Sequence, residues 1–214
     1  MKGHKWFAAI YDRMAASEEK KFMGALRSEM LGEVTGRVLE IGAGTGLNFA
    51  HYRNGAEVVA TEPDPYMLQR AEKRAAETSA NITLHQAPAE DLPFPDESFD
   101  VAISTLVLCS VKDPGRALSE VRRVLKPGAE FRVYEHVRYK NPIGALSQDM
   151  IMPAWRWFGA GCHPNRDTER HIREAGFEVM SAEVRSEHPP IPPMLFVRPH
   201  LRAVARRPAV ERPT

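Results

Sequence analysis

The run Val38-Leu39-Glu40-Ile41-Gly42-Ala43-Gly44-Thr45-Gly46 sets the fold class. Val38 to Ile41 reads as a buried strand, Gly42 to Gly46 as a tight loop, and Leu47 to Tyr52 as the start of a helix. Glycine at alternate positions permits a sharp turn and lets the backbone approach a ligand closely. A dinucleotide site has the spacing GxGxxG, with the pyrophosphate on a helix N-terminus. Here the spacing is GxGxG, and Glu40 stands just ahead of the loop. A carboxylate there repels a pyrophosphate and suits a cofactor of positive charge. Glu62 lies twenty residues past Gly42, where an acid can accept both hydroxyls of a ribose. Glycines alone say only "nucleotide". With Glu40 and Glu62 they specify a cationic, ribose-bearing cofactor, and S-adenosylmethionine, with its sulfonium and ammonium, has that character.

Outward from the loop, strand and helix signals alternate. Strands are expected at Glu57–Thr61, Asn81–Gln86, Phe99–Thr105, Ala129–His136 and Phe177–Arg185, with a last one near Pro199–Arg206. Helices are expected at Pro65–Thr78, Pro114–Leu125 and Thr168–Ala175. Such βα alternation predicts an α/β fold with a doubly wound, mostly parallel sheet. Residues 1–35 read as a helical lid, with Trp6, Phe7, Ile10, Met14, Phe22, Met23, Leu26 and Met30 at helical spacing. Residues 36–136 read as the cofactor-binding core and 137–207 as a substrate-side segment with the final strands, all in one domain of 1–214. Residues 138–165 show no strand signal.

The composition is that of a soluble domain, with 43% hydrophobic and 27% charged residues and a net charge of +1. No basic stripe suggests nucleic acid as a partner. Two cysteines, Cys109 and Cys162, fit a reducing cytoplasm better than a disulfide framework. No CxxC or HExxH spacing predicts a metal site. The longest apolar run, Val101 to Val111, is too short to span a bilayer, although contact with a membrane surface stays open.

From Gly36 to about Gly128 the chain resembles the class I S-adenosylmethionine methyltransferases of the ubiquinone-biosynthesis type, the methyltransferase 11 group. VLEIGAGTG resembles their first motif and ATEPDP their second. APAEDLPFPDESFDVAISTLVLCSV and RALSEVRRVLKPGAEFRVYEH are similar to the stretches that follow. TLVLCSV, EHV, the GCHPNRDT block and VRPHL extend the likeness over about residues 36–205 to the methyltransferase-like thiol methyltransferases. Animal members of that group are membrane-anchored, and this chain shows no hydrophobic N-terminal anchor. The resemblance implies a seven-stranded sheet whose last strand is antiparallel. It implies that Gly42, Ala43, Gly44 and Gly46 line the methionine and ribose, that Glu62 holds the ribose hydroxyls, and that Pro63 or Met67 borders the adenine. Ala89 and Glu90 would sit at the adenine edge. The group often has an acid where Pro88 stands, so Glu90 would supply the contact to the exocyclic amine. Thr105 and Leu106 would lie beneath the reactive methyl, and Tyr11 would close over the cofactor.

Ligands of a doubly wound sheet lie beyond the carboxyl ends of its strands. Cys109-Ser110, His136 with residues 138–165, and Ser186 to Val197 should converge there. They carry Trp155, Trp157, Phe158, Ile191, Met194 and Phe196, which predicts an apolar pocket for a small acceptor. The reaction is an in-line displacement at an activated methyl, so the protein mainly aligns the partners and excludes water. A thiol acceptor needs little help from a base, whereas a phenol or carbon acid needs more. His136 is the first candidate base and His163 the second, with Asp149 and His188 behind them. Cys109 reads as a wall residue. The acceptor favoured is a thiol or sulfide sulfur. O-, C- or N-methylation of a quinone, natural product or phospholipid headgroup is the alternative, and a non-catalytic cofactor-binding module the reading from another class.

Overall fold

The computed structural model describes residues 5–53, 55–159, 161–186 and 194–209. Of the residues singled out above, His188 and Ile191 lie outside this set, as do the side chains of Trp6, Phe7, Met14, Trp157, Phe158 and Met194. Seven strands form one sheet: β1 (Gly36–Ile41), β2 (Ala56–Thr61), β3 (Asn81–His85), β4 (Phe99–Thr105), β5 (Leu125–His136), β6 (Glu178–Ser186) and β7 (Pro199–Arg206). Their order is β3-β2-β1-β4-β5-β7-β6. The pairs from β3 to β5 are parallel, and β7 runs antiparallel to both β5 and β6. This is the expected doubly wound sheet with one reversed last strand. The chain turns in opposite directions from β1, so a crevice opens between the ends of β1 and β4.

Helices α1 (Lys5–Glu18), α2 (Gly24–Leu31), α3 (Pro65–Glu77), α4 (Pro114–Val124), α5 (Pro142–Phe158) and α6 (Thr168–Glu174) surround the sheet. Three of them begin on one local signal. Asp64 accepts from the N–H groups of Tyr66 and Met67, Asp113 from Arg116, and Asn141 from Gly144, each with proline as the next residue. The side chain satisfies a donor the helix cannot, and proline fits the first turn, where no N–H is needed. Apolar stripes of α4 and α6, through Leu118, Val121 and Ile172, cover one face of the sheet with Leu39, Ile41 and Phe131. Met30 and Leu31 of α2 and Ala71 of α3 cover the other, with Val38, Val58 and Ala60. Burial on both faces explains why the central strands read as continuous apolar runs.

Three expectations are corrected. The helix expected from Leu47 to Tyr52 is a single 3-10 turn, Phe49–His51, because Phe49 and Tyr52 turn into the core. β5 begins at Leu125, ahead of Ala129, and runs through Lys126-Pro127-Gly128 with a shift of register against β4 between Phe99 and Val101. Residues 142–158, for which no element was expected, form α5. Its Ile143, Leu146 and Met150 are exposed, and among the described residues no helix is long and apolar enough to cross a membrane.

Candidate cofactor and acceptor site

At the carboxyl end of β1 the backbone of Gly44 has φ +59°, and a side-chain carbon built there meets nothing within 4 Å. Gly42 has φ +58°, but there a side-chain carbon falls 2.5 Å from Val107. The two glycines therefore serve different needs. Gly42 lets the loop pack against the chain beyond β4, and Gly44 faces open space.

Glu62, at the end of β2, accepts the Gly44 N–H on Oε2 at 2.8 Å and the Asp64 N–H on Oε1 at 2.8 Å. It thus fixes the loop that would carry the cofactor and keeps lone pairs to spare. Burial pushes its carboxyl up to about 7, against the pull of the two N–H donors. Pro63 follows, half-buried, and Met67 is buried in the first turn of α3.

Glu40 is held from within the protein. Its carboxylate is buried, with Oε1 accepting from Asn48 Nδ2 at 3.0 Å and Oε2 from the Tyr52 hydroxyl at 2.8 Å. Burial pushes it up to about 7, while Tyr52, Asn48 and Arg27 pull it down. Asn48 also donates to Thr105 Oγ1 at 3.2 Å and accepts from Arg27, which pairs with Glu19 at 2.9 Å. Glu40 therefore ties the glycine loop to the end of β4.

The N-terminal segment is latched onto the same loop. Asp12 of α1 accepts from Thr45 Oγ1 at 2.6 Å and pairs with Arg74 and Arg70 of α3 at 3.3 and 3.6 Å. Arg74 donates to the Thr45 carbonyl at 2.6 Å. Tyr11, the neighbouring residue, has its phenol pushed up by burial, against the pull of Arg27, and it feels the charges of Asp12 and Cys109 as well.

Leu106, just past β4, has φ +60° and donates its N–H to the Tyr134 carbonyl at 2.7 Å. A leucine in this region is strained, and such strain persists only where neighbours hold it. The restraint comes from Glu135, which sequence reasoning missed. Fully buried at the end of β5, it accepts from Ser104 Oγ at 2.7 Å and from the N–H groups of Val107, Leu108 and Cys109 at 2.8, 2.9 and 3.2 Å. Glu90 is similarly occupied, accepting from the backbone of Lys112 at 2.8 Å and Asp113 at 3.3 Å. Ala89 packs in the core with Leu92 and Phe94.

On the acceptor side the expected segments do converge among the described residues. Gln148 of α5, fully buried, reaches the carbonyls of Val137 at 3.1 Å, Pro164 at 2.9 Å and Phe196 at 2.9 Å, and accepts the Tyr139 N–H. His163 donates its N–H to the Cys109 carbonyl at 2.7 Å. Cys109 and Cys162 are both free and buried, with sulfurs 3.5 Å apart, and His136 Nδ1 lies 3.7 Å from each. The shared hydrogen bond between the sulfurs favours one thiolate over two. Trp155 and Cys162 both lie against Gly159. Asp149 is bound by Arg138 at 2.6 Å and by Asn165, which hold its carboxyl down to about 2, too stabilised for a base. A cleft of about 440 Å³ opens on the α6 side, lined by Val137, Tyr139, Arg166, Arg170, Val184 and Leu201; no glycine-loop residue lines it.

A doubly wound sheet that closes on an antiparallel strand, with a GxGxG turn pinned by an acid from the next strand, is the frame of a Rossmann-like methyltransferase. Residues 39–133 match the Methyltransf_11 family, a methyltransferase domain. Thiol S-methyltransferase TMT1B of Homo sapiens is 38% identical over 173 residues, 77% of this chain and 68% of that protein. Thiol S-methyltransferase TMT1A of Homo sapiens is 32% identical over 209 residues, 91% of this chain and 80% of that one. The S-adenosylmethionine-dependent methyltransferase from Mesorhizobium loti shares the fold at a TM-score of 0.63 and 26% identity, over 86% of this chain and 96% of that chain. The chain belongs to the S-adenosylmethionine-dependent methyltransferases, in the family that includes these thiol S-methyltransferases, and the family implies S-adenosylmethionine as methyl donor.

Proposed function

We propose that the protein transfers the methyl group of S-adenosylmethionine to the sulfur of a small, apolar thiol. One observation carries this reading. The methyltransferase domain match ends at residue 133, whereas the likeness to TMT1A covers 91% of the chain. It therefore reaches the segments beyond β5 that shape the acceptor side.

In this reading Glu62 accepts the ribose hydroxyls while holding Gly44, and the space before Gly44 receives the cofactor. Pro63, Met67, Ala89 and the Glu90 segment flank the adenine. Thr105 and Leu106 underlie the methyl, and Tyr11 covers it. Gly42, Ala43 and Gly46 shape the turn. Glu40 acts through Asn48 and Tyr52, fixing the loop. Cys109 and Trp155 border the acceptor. The acceptor thiolate attacks in line. Its S–C bond forms as the methyl–sulfonium bond breaks, and the electron pair returns to the donor sulfur. An alkyl thiol ionises at about pH 8.5, so proton removal asks little of the protein. His136 presents Nδ1 to the two cysteine sulfurs, so any proton it carries for the reaction passes through Nε2. His163 is the second histidine at this end.

The test is purified protein with methyl-labelled S-adenosylmethionine and a panel of alkyl thiols, hydrosulfide, phenols, quinols and phosphatidylethanolamine. Labelled thioethers are expected, with apolar thiols ahead of hydrosulfide. Labelling of phenols or phosphatidylethanolamine in place of thiols overturns the acceptor assignment. Cofactor binding without any labelled product supports the non-catalytic module instead.

A further inference from the structure

Among the described residues, one group of soft donor atoms is drawn together from three distant segments: Cys109 after β4, His136 at the end of β5 and Cys162 after α5. We propose that Cys109, Cys162 and His136 bind one zinc ion, with the fourth position open to a thiol sulfur.

The distances carry the argument. Zinc bonds sulfur at about 2.3 Å and imidazole nitrogen at about 2.0–2.1 Å. At a tetrahedral angle these lengths separate two sulfurs by about 3.8 Å and a sulfur from a nitrogen by about 3.6 Å. The observed triangle is 3.5 Å between the sulfurs and 3.7 Å from His136 Nδ1 to each. A disulfide would need an S–S length of about 2.0 Å and would have no use for a nitrogen equidistant from both sulfurs.

The ligands are also held from behind, as a preformed site requires. Cys109 donates its N–H to Glu135 Oε2 at 3.2 Å and receives the His163 N–H on its carbonyl at 2.7 Å. Cys162 N–H donates to the Gly159 carbonyl at 2.9 Å, and His136 is registered opposite His200 within the β5–β7 pair. The buried Trp155 indole N–H completes no hydrogen bond, and its nitrogen and the Cys162 side chain both lie against Gly159. A metal-bound thiolate would give it an acceptor.

Two thiolates and a neutral imidazole balance the charge of Zn²⁺, and soft donors disfavour magnesium and calcium. Three protein ligands leave one position free, the arrangement of catalytic rather than structural zinc. The occupant of that position rests on the thiol reading above. On binding, R–SH would release its proton to water and lie beside the cofactor as a zinc-held thiolate. Methyl transfer would turn it into a neutral thioether, a poorer ligand that departs, while the donor becomes S-adenosylhomocysteine.

The full chain, produced with zinc and freed of loose metal, is expected to carry one zinc per chain by elemental analysis. Cobalt(II) in its place should show thiolate-to-metal charge-transfer absorption and the d–d bands of a tetrahedral site. Cys162→Ser and His136→Ala should each reduce zinc from one per chain to none while keeping S-adenosylmethionine binding and the circular dichroism of the native fold. An alkyl thiol should shift the cobalt d–d bands. If metal binds but thiols leave the bands unmoved while labelled thioethers still form, the open position for the thiol fails, and the zinc site and the thiol acceptor stand. A protein that stays metal-free with two titratable thiols, that takes only copper(I), or that closes a Cys109–Cys162 disulfide without ever binding zinc overturns the site itself.

Discussion

At the scale of single residues, Gly44 separates folding from binding. Its φ of +59° costs any other L-residue about 1 kcal/mol, yet nothing within 4 Å obstructs a methyl group there. Gly44→Ala is therefore expected to lower the stability of the cofactor-free protein by about 1 kcal/mol. Its loss of S-adenosylmethionine affinity should be much larger if, as proposed, the cofactor fills the space into which the methyl projects. Calorimetric titration beside thermal unfolding checks this, and parallel losses would place the cofactor elsewhere. Glu62 supplies a pH signature at the same scale. Its carboxyl, pushed up to about 7 by burial, is partly protonated near neutrality. In the proposed site ribose hydroxyls donate to the ionised form, so cofactor binding should release protons and weaken as pH falls through about 7. Glu62→Gln should bind roughly tenfold to a hundredfold more weakly, the loss of hydrogen bonds to a charged acceptor. It should also remove that pH dependence. A Glu62→Gln variant whose binding weakens across the same pH range as the native protein's would clear Glu62 of the role.

At the scale of elements, α1 acts on the glycine loop through one side chain. Asp12 holds the buried Thr45 and two partly exposed arginines of α3, and its ion pairs are worth about 1 kcal/mol or less to the fold. Its worth to the bound state is greater if α1 must lift for the cofactor to leave. Asp12→Ala should raise the cofactor dissociation rate about fivefold, as about 1 kcal/mol implies, with little change in Tm. Displacement by S-adenosylhomocysteine in a stopped-flow instrument measures it, and an unchanged rate would make α1 a static cover. Glu135 works in the opposite sense. Removing it would orphan the N–H groups of Val107, Leu108 and Cys109 in the interior. At about 1–3 kcal/mol each, Glu135→Ala should cost at least about 3 kcal/mol, or about 6–12 °C in Tm.

The same elements show where sequence reasoning stops. α3 was legible from its richness in Ala, Glu, Lys and Arg and α4 from its apolar spacing through Ala117, Leu118, Val121 and Val124, and each opens on an Asp-Pro pair. α5 opens on the same kind of signal, Asn141-Pro142, but its stripe is inverted. Its exposed face bears Ile143, Leu146 and Met150, while its buried side bears Gln148, so no single apolar face emerges. Glu62 and the loop were legible because their chemistry is local to two adjacent strands. The Cys109–His136–Cys162 cluster was not, because its members meet only after the sheet and α5 are assembled.

At the scale of the whole molecule, the buried acids set how stability follows pH. Glu40 is the clearest, with its carboxyl raised from an ordinary 4.5 to about 7 by desolvation. Below about pH 4.5 both folded and unfolded chains hold this proton, and above about 7 neither does. Between these limits the folded chain holds it more tightly, so stability contributed at low pH is lost as pH rises through the window. At about 1.4 kcal/mol per pH unit the loss reaches at most about 3 kcal/mol for Glu40, and Glu62 adds to it in the same direction. Surface acids act oppositely. Asp100, beside Lys126, and Glu120, beside Arg123, are held below their ordinary values, so their stabilisation disappears on acidification below that range. The cofactor-free protein should therefore be most stable at mildly acidic pH. Urea unfolding at several pH values should show ΔG falling from about pH 4.5 to about 7, and Glu40→Gln should flatten that fall. A native curve that rises across the window, or a Glu40→Gln variant with the native slope, would mean that Glu40 is ionised in the fold and that Arg27, reaching it through Asn48, dominates its environment.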